Sequence, residues 1–203
     1  MLEASHGSEV RKIALVGMPG SGKSSVGLLV AERLQWDFAD VDSNIEKEVG
    51  MSIAEIFASP GSGEATFRAL EREAIADLMH SPESLVCATG GGAVESEATR
   101  ELLLLPEVFV VWLSADLESL LARAGKSNAR PLLMADPRRA MEALTDRRIP
   151  LYESVADVTI DTGMISPEEV AERIVRSLGK YRLGGTSGDT IPFTAERERK
   201  LPS

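Results

Sequence analysis

The sequence predicts an α/β fold in which a parallel sheet carries helices on both faces. Two observations predict it: short apolar runs alternate with longer stretches of helical periodicity, and a glycine-rich loop directly follows the first apolar run. Parallel strands need long crossover connections, which helices supply with a right-handed sense. In such a sheet, ligands bind beyond the carboxyl ends of the strands. The five strand candidates are Lys12–Val16, Phe38–Val41, Leu85–Ala88, Val108–Leu113 and Asp157–Ile160.

Four helices are predicted from apolar residues that recur three or four positions apart. In the first of them, Val26, Leu29, Val30 and Leu34 form one apolar stripe. The last follows Ser166 and begins with a proline, and both features are common at helix starts. The predicted helices are Ser24–Leu34, Glu64–Met79, Leu117–Arg123 and Pro167–Leu178.

The loop after the first strand candidate has the sequence of a phosphate-binding loop. Residues 17–24 read GMPGSGKS, which matches the pattern G-x-x-x-x-G-K-S between a strand and a helix. Backbone amides of such a loop point at a polyphosphate, and the helix adds its positive end. We expect Lys23 to reach the outer phosphates and the Ser24 hydroxyl to bind Mg²⁺. A glycine-rich turn with a chance lysine is the alternative, which the flanking strand and helix disfavour.

Two aspartates follow the second strand candidate. If Asp40, Val41 and Asp42 continue that strand, both carboxylates point in the same direction at its carboxyl end. Behind a phosphate-binding loop, one carboxylate could hold Mg²⁺ through water and the other could contact the phosphoryl acceptor. Two ordinary loop aspartates are the alternative.

Three consecutive glycines end the third strand candidate. Gly90, Gly91 and Gly92 directly follow Thr89, so no side chain projects where the strand emerges. A ligand can therefore approach the backbone closely at this point. The position favours the floor of a substrate site over a turn that is merely flexible.

Several arginines stand out in this acidic chain. Arg68 precedes Glu71 by three residues, so the two can share a helix face. Arg147 and Arg148 are expected at a helix end, before Pro150. Taken singly, each of these arginines is more typical of an exposed, solvated arginine, and the spacing of Arg68 and Glu71 is that of an ordinary surface ion pair.

Arg123 and Arg130 flank a polar stretch that contains Gly125. We expect residues 123–137 to form a mobile lid. Pro131 restricts the backbone of Arg130 to extended conformations and thereby limits where its side chain points.

The composition excludes several classes of protein. The formal net charge is −10, whereas nucleic-acid binding depends on clustered lysine and arginine, so we expect no nucleic-acid partner. No apolar run approaches the length of a membrane span, and the first residues lack the apolar stretch of a signal peptide. We therefore expect a cytoplasmic protein without membrane contact. Cys87, His6 and His80 match neither a zinc site nor a nucleophilic triad, and Cys87 is expected to be a buried small hydrophobe.

Together, these motifs resemble the shikimate kinase family, from about Lys12 to Leu178. Their order and number make the resemblance more specific than the phosphate-binding loop alone. The motifs are GMPGSGKS at 17–24, Asp40-x-Asp42, SIAEIF at 52–57, GEATFR at 63–68 with Glu71, TGGGAV at 89–94, RPLL at 130–133, and Arg148 with PLY at 150–152.

The resemblance implies a fold like that of the nucleoside monophosphate kinases. That fold is a P-loop NTPase fold with a five-stranded parallel sheet, a substrate-binding helical region and a lid. The implied reaction transfers the γ-phosphoryl group of ATP to the 3-hydroxyl of shikimate, on the route to chorismate and the aromatic amino acids. The implied cofactor is Mg²⁺, and the implied oligomeric state is a monomer.

The resemblance also implies roles for individual residues. Lys23, Asp42 and Arg130 would be catalytic, and Ser24 and Asp40 would serve the metal, Asp40 through water. The expected ATP-binding residues are Gly17, Met18, Pro19, Gly20, Ser21, Gly22, Lys23, Ser24, Ser25, Arg123 and Arg130. The expected substrate-binding residues are Asp42, Arg68, Gly90, Gly91, Gly92, Arg148, Ile53, Phe57, Phe67 and Glu71.

Three segments are expected along the chain: a flexible N-terminal segment 1–10, the shikimate-kinase-like domain 11–180, and a mobile C-terminal tail 181–203. Docking of the tail on the core or on a partner is the alternative. Two departures from the family pattern are a longer turn at Ser59–Gly63 and an adenine loop, Asp161–Pro167, without arginine or asparagine. A kinase for another small acceptor such as gluconate, or a kinase-like regulatory protein without activity, are the competing interpretations.

Overall fold

Five parallel strands form a single sheet in the order β2-β3-β1-β4-β5. The computed structural model describes residues 9–61, 63–124 and 136–182. The predicted parallel sheet is confirmed, and two of its strands have the predicted ends. The strands are β1 Lys12–Val16, β2 Asp37–Asp40, β3 Leu85–Ala88, β4 Val108–Ser114 and β5 Val158–Asp161.

Helices connect successive strands and cover both faces of the sheet. The four predicted helices are present with ends shifted by at most a few residues, and a 3₁₀ turn, Ala93–Glu95, follows the glycine run. The helices are α1 Lys23–Leu34, α2 Val41–Val49, α3 Ile53–Ala58, α4 Gly63–His80, α5 Glu97–Leu103, α6 Leu117–Ala124, α7 Pro137–Val155 and α8 Pro167–Arg182.

The central strand β1 is buried on both sides, as parallel strands usually are. Ile13 and Leu15 point into one apolar cluster, which α1 and α8 close. Ala14 and Val16 point into a second cluster, on the face that carries α2 to α5 and α7. The carboxyl end of β1 therefore emerges between two well-packed layers, and this fixes where the phosphate-binding loop starts.

The predicted continuation of the second strand through Val41 and Asp42 is wrong. β2 ends at Asp40, and Val41 is the first residue of α2. The Asp40 side chain accepts a hydrogen bond from the Ser43 amide at 3.1 Å, which caps the new helix. The alternation rule for strands therefore does not apply to Asp42, which lies in the first turn of α2.

The helix expected to end near Arg148 is α7, whose bounds were not predicted, and Arg148 lies well inside it rather than at its end. Pro150 usually ends a helix because it lacks an amide hydrogen. Here α7 continues to Val155, and Tyr152 and Val155 are both fully buried beyond the proline. Their packing on the core outweighs the hydrogen bond that the proline loses.

Helix α8 runs past the predicted end at Leu178 to Arg182. The Tyr181 ring lies 4.9 Å from the Phe109 ring, so this last turn contacts strand β4. Among the described helices, none combines the length and the apolar character that crossing a bilayer requires.

Candidate active site

The loop between β1 and α1 has the backbone geometry of a phosphate cradle. Gly17, Gly20 and Gly22 all have positive φ, at 147°, 84° and 93°. A Cβ at Gly17 would overlap the Leu113 carbonyl oxygen, so glycine is required there for two reasons. The first turn of α1 contains no acidic residue, which leaves its positive end available to an anion.

Lys23 begins α1 and points back over this loop. Its Nζ donates to the carbonyl oxygens of Gly17 at 2.9 Å and Met18 at 3.0 Å, and its side chain is buried. The ammonium group thus lies inside the loop, within reach of a phosphate that the loop amides would bind.

Ser24 and Asp40 meet at the carboxyl ends of β1 and β2. The Ser24 hydroxyl donates a hydrogen bond to Asp40 Oδ2, while Asp40 Oδ1 caps α2. A hydroxyl and a carboxylate are the oxygen ligands that Mg²⁺ prefers, and Mg²⁺ usually keeps several waters and phosphate oxygens as further ligands. Within the described ranges, no group of three or more His, Cys, Asp or Glu side chains could hold a metal ion.

Asp42 lies beside the glycine run, although not for the reason expected from the sequence. The first turn of α2 carries it, where the helix dipole stabilises a carboxylate. A Cβ at Gly90 would approach Asp42 Oδ1 to 3.0 Å and would overlap Glu71 Oε1. Gly90 is therefore the space that lets two carboxylates approach the end of β3.

Arg68 and Glu71 form a close ion pair on α4. Arg68 Nη1 lies 2.5 Å from Glu71 Oε2, and the Glu71 side chain is only 3% exposed. A Cβ at Gly92 would overlap the Arg68 guanidinium group. Two of the three glycines, Gly90 and Gly92, therefore make room for protein side chains. The sequence had indicated only that this space admits a ligand.

An apolar wall adjoins Arg68. The rings of Phe57 and Phe67 are 5.0 Å apart, and Arg68 Cζ lies 5.3 Å from the Phe67 ring centroid. Ile53 joins the same buried cluster. A capping box between Ser52 and Glu55 fixes the start of the short helix α3, which carries Ile53 and Phe57.

Arg148, on α7, shares a carboxylate partner with Arg68. Its side chain is only 2% exposed, and Nη2 donates to Glu95 Oε2 at 3.0 Å. The same Glu95 oxygen lies 3.8 Å from Arg68 Nη2. Nε and Nη1 of Arg148 are buried and find no acceptor among the described residues. Two arginines that are 80 positions apart thus converge on one carboxylate oxygen.

Sequence reasoning missed Glu95 and the contacts of Tyr152. The Tyr152 hydroxyl donates to the Gly91 carbonyl oxygen at 2.5 Å, and its ring stacks on Trp112 at 5.8 Å. An acidic residue three positions after the glycine run was the only sequence signal for Glu95. Its arginine partners come from α4 and α7, so only the fold could identify it.

Arg123 joins α6 to the loop after β5. Its guanidinium group donates to Thr162 Oγ1 at 3.1 Å and to the carbonyl oxygens of Thr162 at 2.8 Å and Gly163 at 3.3 Å. This is the loop to which the sequence assigned the adenine ring. Arg130 and most of the predicted lid lie outside the described residues.

Cys87 is fully buried in β3, and burial raises the pKa of its thiol to about 12, with the Asp40 charge adding to the effect. A thiol of this kind is unreactive at neutral pH.

Taken together, the site contains carboxylates, cations and a phosphate-binding loop at one edge of a parallel sheet. This combination defines a kinase of the P-loop class, with the phosphate-binding loop before α1 and the arginines Arg68 and Arg148 on α4 and α7.

Comparison with known proteins identifies the family. A family profile described as shikimate kinase matches residues 19–179. A shikimate kinase of Thermobifida fusca is 42% identical over 164 residues, which cover 81% of this chain and 92% of that protein. A shikimate kinase of Salinispora arenicola is 44% identical over 164 residues, covering 81% and 95%. The chain belongs to the shikimate kinase family, so the resemblance found in the motifs is confirmed.

Solved structures agree. The shikimate kinase of Acinetobacter baumannii in complex with shikimate superposes with a TM-score of 0.81 at 35% identity, covering 86% of this chain and 96% of that one. A gluconokinase of Sinorhizobium meliloti reaches a TM-score of 0.58 at 19% identity, covering 85% and 94%, and shares the fold alone. The predicted P-loop NTPase fold is therefore confirmed.

Proposed function

We propose that this protein transfers the γ-phosphoryl group of ATP to the 3-hydroxyl of shikimate, giving shikimate 3-phosphate and ADP. This reaction belongs to the route to chorismate and the aromatic amino acids. The observation that carries the proposal is the convergence of Arg68 and Arg148 on one carboxylate oxygen. Paired guanidinium groups are suited to a carboxylate ligand, and shikimate carries one carboxylate.

At the phosphate end, residues 17–25 bind the polyphosphate of ATP through backbone amides and the positive end of α1. Lys23 exchanges its loop carbonyl partners for the β- and γ-phosphates, since charged oxygens are the stronger acceptors. Ser24 and Asp40 hold Mg²⁺, Asp40 through water, which agrees with their contact. Bound Mg²⁺ would neutralise phosphate charge. Arg123 lies against adenine, and Arg130 reaches the transferred phosphoryl group.

At the acceptor end, Asp42 orients the 3-hydroxyl and takes its proton as the hydroxyl oxygen attacks the γ-phosphorus. The bond between that phosphorus and the bridging oxygen of ADP breaks in the same displacement. Arg68 and Arg148 hold the substrate carboxylate, and Glu71 orients Arg68 through their ion pair. The glycines 90–92 form the floor of the site, while Ile53, Phe57 and Phe67 wall the ring.

We also propose that the enzyme works as a cytoplasmic monomer, with residues 11–180 as its kinase domain. Its partners are then the small molecules ATP and shikimate. The net charge of −10 argues against a nucleic-acid partner.

A coupled assay of ADP release tests the proposal. The purified chain is given ATP and Mg²⁺ with shikimate, with gluconate, or with no acceptor. We expect ADP release in the reaction that contains shikimate and not in the other two. Release with gluconate but not shikimate would indicate a related small-molecule kinase, and no release with any acceptor would indicate an inactive relative.

A further inference from the structure

The Glu95 carboxylate lies on the two arginines to which we assign the substrate carboxylate. Its Oε2 accepts from Arg148 Nη2 at 3.0 Å and lies 3.8 Å from Arg68 Nη2. Its Oε1 lies 2.5 Å from Arg147 Nε. A carboxylate of the protein therefore already occupies the position in which a carboxylate ligand would be bound.

The backbone of Glu95 is held firmly, whereas its side chain has room to move. The preceding residues Ala93 and Val94 are buried, and Arg100 Nη1 donates to the carbonyl oxygens of Val94 at 2.7 Å and Glu95 at 3.3 Å. The Glu95 side chain is 23% exposed and its partner Arg147 is 60% exposed. The carboxylate can therefore rotate toward solvent together with Arg147, without moving the 3₁₀ turn.

The contact with Arg148 limits what that arginine can offer a ligand. A guanidinium group binds a carboxylate with two parallel hydrogen bonds, from Nε and Nη2 or from Nη1 and Nη2. Each arrangement uses one of the two N–H donors of Nη2, and Glu95 already engages one of them. Nε and Nη1 are buried and find no acceptor within the described part of the chain. While Glu95 stays in place, a ligand carboxylate can therefore use only one of the two arrangements on Arg148, and it must bind beside the negative charge of Glu95.

Charge acts in the same direction. Glu71 already neutralises Arg68 at 2.5 Å, so Glu95 supplies a second negative charge to the same cluster. A ligand carboxylate that enters this cluster is repelled by Glu95 at short range and gains less from the arginines than it would without Glu95.

We infer that Glu95 is an internal competitor for the carboxylate site: it occupies Arg68 and Arg148 in the free enzyme, and the substrate must displace it. Glu95 thereby sets the affinity for the acceptor without taking part in phosphoryl transfer. The inference rests on the proposed function, because it takes shikimate as the carboxylate ligand.

The test is a calorimetric titration of the full chain with shikimate, comparing the parent with Glu95→Gln. We expect the Kd for shikimate to fall about tenfold, corresponding to loss of about 1.4 kcal/mol of competition. KM for shikimate should fall in parallel while kcat changes less than twofold. Glu95→Asp keeps the charge on a shorter side chain and should give an intermediate Kd.

Glu64→Gln is the matched control. Glu64 also lies near Arg68 Nη2, at 3.9 Å, but it is 62% exposed and does not contact Arg148. Its removal should leave the Kd within about twofold, as for an exposed ion pair. The methyl ester of shikimate is the second control, because it has no carboxylate that competes with Glu95 for Arg68 and Arg148. The substitution Glu95→Gln should therefore leave the Kd of the ester unchanged.

An unchanged or higher Kd for shikimate in folded Glu95→Gln would overturn the inference and make Glu95 a residue that positions the arginines. A parent enzyme that fails to bind shikimate would instead refute the proposed function. A thermal melt of each variant checks folding, and if Glu95→Gln does not fold, equal Kd values for Glu95→Asp and the parent overturn the inference.

Discussion

At the scale of single residues, the site depends on which atoms each charged group can reach. Asp40 accepts from the Ser24 hydroxyl and the Ser43 amide, so one of its oxygens contacts the start of α1 and the other caps α2. Asp42, two positions later, instead faces the glycine run. Two neighbouring aspartates therefore have separate surroundings, and their amide variants should differ.

We expect Asp42→Asn to lower turnover of shikimate by roughly 10²-fold, because the amide cannot accept the proton of the attacking hydroxyl. Asp40→Asn should instead raise the Mg²⁺ concentration needed for half-maximal rate, because it removes a carboxylate assigned to the metal. The fold should be kept, since asparagine caps a helix as well as aspartate does. Steady-state rates over a Mg²⁺ series separate the two. If folded Asp42→Asn turned over shikimate at the rate of the parent enzyme, the proposed role of Asp42 toward the acceptor would be contradicted.

At the scale of elements, the ends of strands and helices bring the charged groups together. The turn after β3 passes so close to α4 that side chains are excluded at Gly90 and Gly92. Helix α4 then places Glu71 and Arg68 against this turn, and α2 places Asp42 there. The glycine run is thus a packing requirement of the site as well as an opening for a ligand.

Gly90→Ala should raise the KM for shikimate strongly, because the new methyl group must displace Glu71, which orients Arg68. The stability of the variant should also fall, since Glu71 is buried. Gly179→Ala is the matched control, because a Cβ added at Gly179 would meet nothing within 4 Å. Alanine should also stabilise helix α8 by up to about 1 kcal/mol relative to glycine. Kinetics and chemical denaturation measure both effects, and an unchanged KM in folded Gly90→Ala would contradict this account of the turn.

Burial in β3 makes stability depend on alkaline pH through Cys87. The ordinary thiol pKa of 9.0 rises to about 12 in the folded state, chiefly because burial disfavours the thiolate. The unfolded thiol therefore ionises first, so the free energy of unfolding falls as pH rises from about 9 to 12. Cys87→Ala should reduce this fall by up to about 1.4 kcal/mol per pH unit.

Urea unfolding at several pH values between 8 and 10.5 checks this expectation. The other titrating groups are common to both proteins and their contributions cancel, except for Lys12, because the charge of Cys87 raises the pKa of Lys12. Equal slopes of unfolding free energy against pH in the two proteins would contradict it.

At the scale of the whole molecule, the fold joins segments that are far apart in the sequence. Arg68 and Arg148 come from α4 and α7, and they meet only because both helices pack on the same face of the sheet. If both hold one substrate carboxylate, their contributions are coupled. Once one arginine is weakened, the carboxylate is held less rigidly and the other contributes less.

Arg68→Lys and Arg148→Lys keep the charge but lose the planar pair of donors. We expect each to raise the Kd for shikimate about tenfold, in line with hydrogen bonds to charged groups. The double variant should raise it by less than the product of the two effects. Arg173→Ala is the control, since Arg173 is an exposed residue paired within α8. Calorimetric titration gives the Kd of the parent and of the four variants, and strictly multiplicative effects of the two arginine substitutions would show that the arginines bind different groups.

The sequence by itself determined the sheet and the phosphate-binding loop, because both depend on local information. The strand–loop–helix pattern around Lys23 and the apolar periodicity of the other elements are readable within short windows. The order of the motifs along the chain also indicates the family, and the match of residues 19–179 to the family profile confirms it.

The ends of β2 and α7 and the contacts of Glu95 depend on residues that are distant in the sequence, so a short stretch of sequence does not predict them. Asp40 ends β2 because its side chain caps α2, and α7 passes Pro150 because buried residues follow it. Glu95 resembles any polar residue after a turn until α4 and α7 bring three arginines around it. Contacts between distant segments form only when the sheet brings their helices together, so the sequence determined the chemistry available and the fold determined which groups meet.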